Sequence, residues 1–241
     1  MNSFTIARRD IAAYLHGYAG FVIIAGILFV EGMLFNFFAM GSDSARYSHE
    51  VLEDFFYFQG GCTMVAAILF TMRTIAEERT EGTDVLLITS TASDGQIVFG
   101  KYIGAMAILT LMTALTLYMP GLIFVNGKVS LAHIAVGYLG VMGLGSVCTA
   151  IGIFGSTIFR SQLASGVITT VVVVTFLTSW LAAEFTEPPF SDVLAHAAIF
   201  NQHFIPFQEG RLTLSSLVYY ASITAVFLVF AKLVINGRRW E

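Results

Sequence analysis

Apolar residues in this chain come in long runs separated by short polar stretches. Runs of the roughly 20 residues that a helix needs to cross a bilayer fall near 17–40, 55–73, 102–125, 131–158, 162–183 and 214–235. None reads as a buried core strand, which is far shorter. The pattern predicts an all-α integral membrane protein with six transmembrane helices, residues 1–241 forming a single transmembrane domain. Arg8 and Arg9 precede the first run, as basic residues precede a removable leader. That run is longer than a leader's apolar core, however, and it ends in "FNFFAMGS", bulky where cleavage needs small residues. It reads as a span.

Three polar stretches carry patterns of their own. In "SFTIARRDIAAYLHGY", Phe4, Ala7, Ile11, Tyr14, Leu15 and Tyr18 recur at helical spacing, with Arg8, Arg9 and Asp10 on other faces. This predicts an N-terminal amphipathic helix lying in the membrane interface, or else a soluble helix. Between the fifth and sixth runs, Pro188 and Pro189 stop one helix and Ser191 or Asp192 can cap another. That short outer-side helix would present Val193, Leu194, Ala197, Ala198 and Phe200. The third stretch, "TIAEERTEGTDVLLITSTASDGQIVFGK" at 74–101, interrupts two apolar runs with Glu77, Glu78, Arg79, Glu81, Asp84, Asp94 and Lys101. Helical propensity continues through its start, Gly82 permits a turn, and Thr83 can cap a short helix with Val85, Leu86 and Ile88 on one face. A solvated loop has no need of an apolar face, so the segment reads as a docking surface for a partner protein. A helix resting on lipid headgroups is the alternative.

Composition agrees with a lipid environment. The chain is 56% hydrophobic and 12% charged, with a mean hydropathy of +0.79, against roughly 25% charged residues in soluble domains. Its net charge of −4 gives no reason to expect nucleic acid. Charge also orients the spans. Nine of the twelve Lys and Arg residues (Arg8, Arg9, Arg73, Arg79, Lys101, Arg160, Lys232, Arg238, Arg239) fall on the side that carries both termini, and Arg46, Lys128 and Arg211 on the other. The basic side is expected to be cytoplasmic.

Candidate chemistry is sparse. No GxxxxGK[ST] loop, HExxH or CxxC pair occurs, and the five histidines are scattered. No catalytic residue and no metal site are expected, and Cys62 and Cys148 read as buried, inert thiols. The fourth run is rich in small residues (Gly137, Gly140, Gly143, Gly145, Ser146, Ala150, Gly152, Gly155, Ser156). They suit either a moving seam or ordinary close packing within the bundle. Glu31, in the outer half of the first run, is the one candidate for an intramembrane polar site; it either lines a cavity or meets water near the interface. One carboxylate is thin support for an ion-coupled carrier.

The segment "MRTIAEERTEGTDVLLITSTASDGQIVFGKYIGA" resembles the cytoplasmic element of type-2 ABC exporter permeases: an acidic pair, a basic residue, Gly-Thr, a leucine-rich coupling helix and a Gly-Lys entry to the next span. "GIFGSTIFRSQLASGVI" is similar to that family's link between the fourth and fifth spans. "HFIPFQEGRLTLSSLVYYASITAVFLVF" and the closing "RRW" resemble the branch of gliding-motility permeases and, more distantly, nitrous-oxide-reductase maturation permeases. Members often have a proline where this chain reads "TSTASDG", which leaves the end of the coupling helix open.

The resemblance implies a permease without ATPase activity in the bacterial inner membrane, both termini cytoplasmic. It would pair with a second copy or a related permease. A separate cytoplasmic ABC ATPase would bind ATP and Mg, so this chain needs no cofactor of its own. A large periplasmic-facing accessory membrane protein is a further implied partner. Glu77, Glu78, Arg79, Gly82, Thr83, Asp84, Leu86 and Leu87 would form the ATPase-docking element. Two roles remain open: export of a substrate, or transmission of ATPase motion to an outer-side partner with no substrate passing.

Overall fold

In hydrocarbon each spanning segment must satisfy its own backbone N–H and C=O groups, which leaves an isolated apolar run little choice but helix. The computed structural model describes residues 2–39, 47–80, 82, 92–126 and 129–238, and all regular structure among them is helical. In chain order the helices are α1 (Ser3–His16), α2 (Tyr18–Leu34, continued by a π-helical turn over Phe35–Ala39), α3 (Ser48–Thr71) and α4 (Ala76–Thr80). They continue with α5 (Asp94–Leu115), α6 (Tyr118–Asn126), α7 (Leu131–Ile158), α8 (Gln162–Glu184), α9 (Phe190–Ala197), α10 (Ile205–Gln208) and α11 (Leu214–Arg238).

Six stretches among the described residues are long and apolar enough to cross a membrane: Gly20–Phe38, Ser48–Thr80, Asp94–Val125, Leu131–Ile158, Gln162–Glu184 and Leu214–Gly237. Their number and order are those the hydropathy predicts. The second and third begin earlier, because polar side chains cap their helices beyond the apolar run. The Tyr47 N–H donates to the Glu50 carboxylate at 3.3 Å. At α5 the Ser93 N–H donates to Gln96 Oε1 at 3.0 Å while the Gln96 N–H donates to Ser93 Oγ at 3.3 Å, a reciprocal capping box.

The fourth span, α7, lies at the centre, packed against α3, α5, α8, α10 and α11. Its glycines are the seats for its neighbours. A Cβ at Gly137 would fall 2.2 Å from the Phe56 ring, and one at Gly140 2.4 Å from Phe207 Cβ. Similar contacts bring Gly143 against Tyr220, Gly145 against Leu109 and Gly155 against Thr169. The small-residue pattern therefore serves packing within one chain. Around it Phe55, Phe56, Phe204, Phe207 and Tyr220 form one core. Ile24, Ile27, Phe70, Ile108, Leu109 and Met112 join α2, α3 and α5 in a second. Cys62 and Cys148 are buried and free.

At the end opposite the termini, α9 starts at Phe190 with Pro189 as its N-cap, just ahead of the Ser191 or Asp192 cap read from sequence. The helix stops at Ala197, so Ala198 and Phe200 lie in the turn beyond it, where both are buried. Val193 and Phe190 are exposed. Nearby, His203 stacks on Tyr219 with ring centroids 3.8 Å apart. Its Nε2 donates to the His196 carbonyl at 3.0 Å, and its Nδ1 lies 3.1 Å from Ser216 Oγ. Burial holds this imidazole below its usual value, favouring the neutral ring. His133 likewise donates to the Gln208 carbonyl at 2.7 Å. Both are satisfied structural histidines.

Candidate functional site

The polar interruption closes on itself through a lysine. Lys101 lies in the second turn of α5 and is 2% exposed. A buried ammonium survives only when oxygens replace its water. Its Nζ donates to the Thr74 carbonyl at 3.0 Å and to Glu78 Oε1 at 2.7 Å, and lies 3.0 Å from Asp10 Oδ2. Arg9 completes the group, pairing with Glu78 and lying 3.4 Å from Asp10 Oδ1. Two cations and two carboxylates thus balance at one junction of α1, α4 and α5.

Local sequence explains why α1 can come so close. Gly100 and Gly104 flank Lys101 as small-xxx-small, the spacing that lets helix backbones approach in lipid. A Cβ at Gly100 would sit 2.7 Å from the Ser3 carbonyl oxygen and 2.9 Å from Ile6 Cβ, and one at Gly104 would sit 3.3 Å from Asp10 Cβ. The Tyr14 hydroxyl donates to the Phe70 carbonyl, tying the far end of α1 to α3. Burial beside Glu77 and Asp10 pushes this phenol well above its usual value, desolvation being the larger cause.

The stripe that α1 packs against the bundle includes a charge that the apolar spacing does not indicate. Ile6, Ala7 and Asp10 are buried, whereas Phe4 is 74% and Tyr18 92% exposed. Pairing with Lys101 outweighs hydropathy for Asp10. Hydrophobic periodicity has no means of anticipating a charge held on the inner face, although the "GKYIG" spacing could have flagged the close approach.

Of the residues read as the docking element, Glu77, Glu78, Arg79 and Gly82 are described, and Thr83, Asp84, Leu86 and Leu87 lie outside the described residues. Glu78 faces inward, onto Lys101. Glu77 accepts from Arg73 Nε at 3.0 Å, one helical turn back. Arg79 makes no ion pair among the described residues, and Gly82 has the left-handed φ of +70° that a side chain would resist. Thr80 Oγ1 donates to the Arg160 carbonyl at 3.0 Å, so α4 also touches the link between the fourth and fifth spans. Glu31 lies apart from this junction, buried in the first span.

Mechanically, the arrangement is a clamp. Both flanks of the polar segment, residues 74–80 before it and Lys101 after it, are held together by ionic contacts and bonded to α1.

A family model described as ABC-2 family transporter protein matches residues 13–236, nearly the whole chain. No curated protein matches it.

Proposed function

The chain belongs to the ABC-2 family of transporter proteins, and from that premise we propose that it is the permease half of an ATP-driven exporter. It is a multi-pass membrane permease component of an ABC transporter, a family that works with a cytoplasmic ABC ATPase. In the proposed assembly the ATPase binds ATP and Mg, two permeases pair in a bacterial inner membrane, and both termini face the cytosol. The ATPase grips residues 77–87, with Thr83, Asp84, Leu86 and Leu87 as its contacts beside Glu77, Arg79 and Gly82. Closure of the ATPase would then push on the clamp and rock the spans.

The observation that supports this reading best is the Lys101 junction. A loop that merely connects two spans needs no buried ion cluster at its base, whereas a lever does. Because Glu78 is committed to Lys101, it is a poor probe of docking. Leu86→Asp and Asp84→Lys are better ones. Each is expected to reduce co-purification of the ATPase about tenfold or more at matched expression, the equivalent of about 1.4 kcal/mol. Charged groups paired across partly desolvated interfaces reach that size. Full retention of the ATPase and of stimulated hydrolysis in both variants would sink the docking assignment. Orientation has its own test. Cysteine placed at Ser44 or Lys128 should react with an impermeant thiol reagent outside intact cells, and cysteine at Thr80 or Ser161 should not. Labelling at Thr80 would reverse the topology.

A second reading draws on the bundle surface. An open groove of about 800 Å³ runs between α2, α3 and α8, walled by residues such as Val22, Gly26, Val30, Tyr57, Val65 and Leu181. So apolar a wall suits a neighbouring helix better than a polar cargo. It favours a sealed seam between paired permeases, the first span of one meeting the fifth of the other, and transmission of ATPase motion to an outer-side accessory protein.

A further inference from the structure

Glu31 is 1% exposed, in the first span, and neither of its carboxyl oxygens has a hydrogen-bond partner among the described residues. Three other fully buried side chains share that condition among the described residues: both amide atoms of Gln59 and the hydroxyls of Thr63 and, apart in α8, Ser165 are unpartnered. Thr63 is unusual in this. Thr71, Thr113 and Thr169 each donate to the carbonyl four residues earlier, the normal resort of a threonine inside a helix.

Helix register brings these groups together. The rings of Phe35 and Phe55 meet edge-on at 5.8 Å between consecutive spans. Glu31 lies one turn before Phe35 and Gln59 one turn after Phe55, so in antiparallel helices they fall at the same depth. Gln59, Cys62 and Thr63, three and four residues apart, share one face of α3, and Cys62 and Tyr138 of α7 are ionisable neighbours of Glu31. The Tyr138 hydroxyl lies 3.0 Å from Thr116 Oγ1.

Two backbone irregularities flank the same place. The first span changes to a π-helical turn at Phe35, and the third breaks between Leu115 and Tyr118, where Thr116 sits. In a membrane, irregular backbone and unpartnered polar groups persist where they are buried in protein or line a water-holding site, and π-turns inside helices frequently mark function.

The titratable groups facing Glu31 are Cys62 from α3 and Tyr138 from α7; from α6 the Tyr118 hydroxyl comes within 3.9 Å of a Cβ built at the neighbouring Gly32. Among the described residues no cationic side chain pairs with it. An ionised carboxylate alone in such surroundings is too costly, and it neutralises by taking up a proton.

We propose that Glu31, Gln59, Thr63 and Tyr138 form a proton-binding, water-holding site inside the bundle. The reaction is reversible protonation: one O–H bond forms on the carboxylate as one breaks in a hydronium ion of the solvent, leaving water, and there is no change of oxidation state. Water then bridges the acid to the Gln59 amide and Thr63 hydroxyl, supplying the partners that both lack. Opening of the α2–α3 contact to bulk water releases the proton, so by linkage acidification favours the closed packing. One such group regulates a bundle without making it an ion-driven carrier.

The test is infrared difference spectroscopy on the full chain in lipid nanodiscs. Wild type minus Glu31→Gln at neutral pH should show one protonated-carboxyl C=O band that shifts in D2O and gives way to carboxylate bands in alkaline buffer. Gln59→Leu, which keeps the acid but removes a partner of the water, should leave that band present and move it to higher frequency. It carries the assignment if Glu31→Gln does not fold. Carboxylate bands in place of the C=O band at neutral pH would overturn the proposal. So would conversion of the C=O band to carboxylate on adding sodium or potassium at constant pH, which would mark a metal-cation site. An unshifted band in Gln59→Leu would also overturn it.

Discussion

Lys101→Met is expected to cost about 3 kcal/mol or more of stability, the usual penalty for removing one partner of a buried ion pair. The size follows from what is left behind. Asp10 and Glu78, both largely buried, would keep their charges after losing the buried ammonium, and Arg9, the cation that still reaches both among the described residues, has a side chain 50% exposed. Melting of the purified protein should shift down, and α1 should become the first site of limited proteolysis, since Lys101 is its main polar anchor. Arg9→Ala should change stability by less than about 1 kcal/mol, because water already screens that side of the pair. Neutralising the buried groups together, Lys101→Met with Asp10→Asn and Glu78→Gln, should recover much of the loss, since the charge that remains, on Arg9, is half exposed to solvent. Unchanged melting of Lys101→Met alone would show that the cluster is not holding the junction. Glu78→Lys is expected to fail as Lys101→Met does, by placing a third cation beside Lys101 and Arg9.

The other large effect is expected from the glycines of α7. Leucine at Gly152 has no room: even a Cβ there would lie 1.8 Å from Thr71 Oγ1 and 2.7 Å from Thr71 Cβ. Thr71 is fully buried, and its hydroxyl already donates to the Ala67 carbonyl at 2.6 Å. Gly137→Leu meets Phe56, which is fully buried and wedged against Phe55 and Tyr138. Overpacking of this kind costs about 1–3 kcal/mol and at times more. Either variant should show a lowered melting midpoint and poor recovery of monodisperse protein. Gly26→Ala and Gly121→Ala are the controls, since nothing lies within 4 Å of a Cβ at either position. If Gly152→Leu melts with the controls, α7 is not the packing hub described above.

Particular residues separate what was legible in the chain from what was not. The six spans and their order were legible, because a run of about 20 apolar residues has one stable form in lipid. So was the burial of Cys62 and Cys148. Where each helix begins was less legible. Ser93 and Gln96 extend α5 by a turn or more beyond its apolar run through side-chain caps, which a count of hydrophobic residues passes over. The role of the polar interruption divides in the same way. Its contrast with its flanks, and its likeness to a known docking element, were written in the sequence. That Glu78 turns inward was not, because its partners Lys101 and Arg9 lie 23 and 69 residues away.

By itself, then, the sequence determined the solvent, the helical class, the number of spans and the family resemblance, all of which depend on local runs and short motifs. Tertiary structure alone decided that Asp10 belongs to the buried stripe of α1, that the glycines of α7 seat aromatic rings of the same chain, and that Glu31 is buried at the depth of Gln59. Each depends on which residues distant in sequence become neighbours in space. Interhelical register and close approach set that, and no local pattern encodes it.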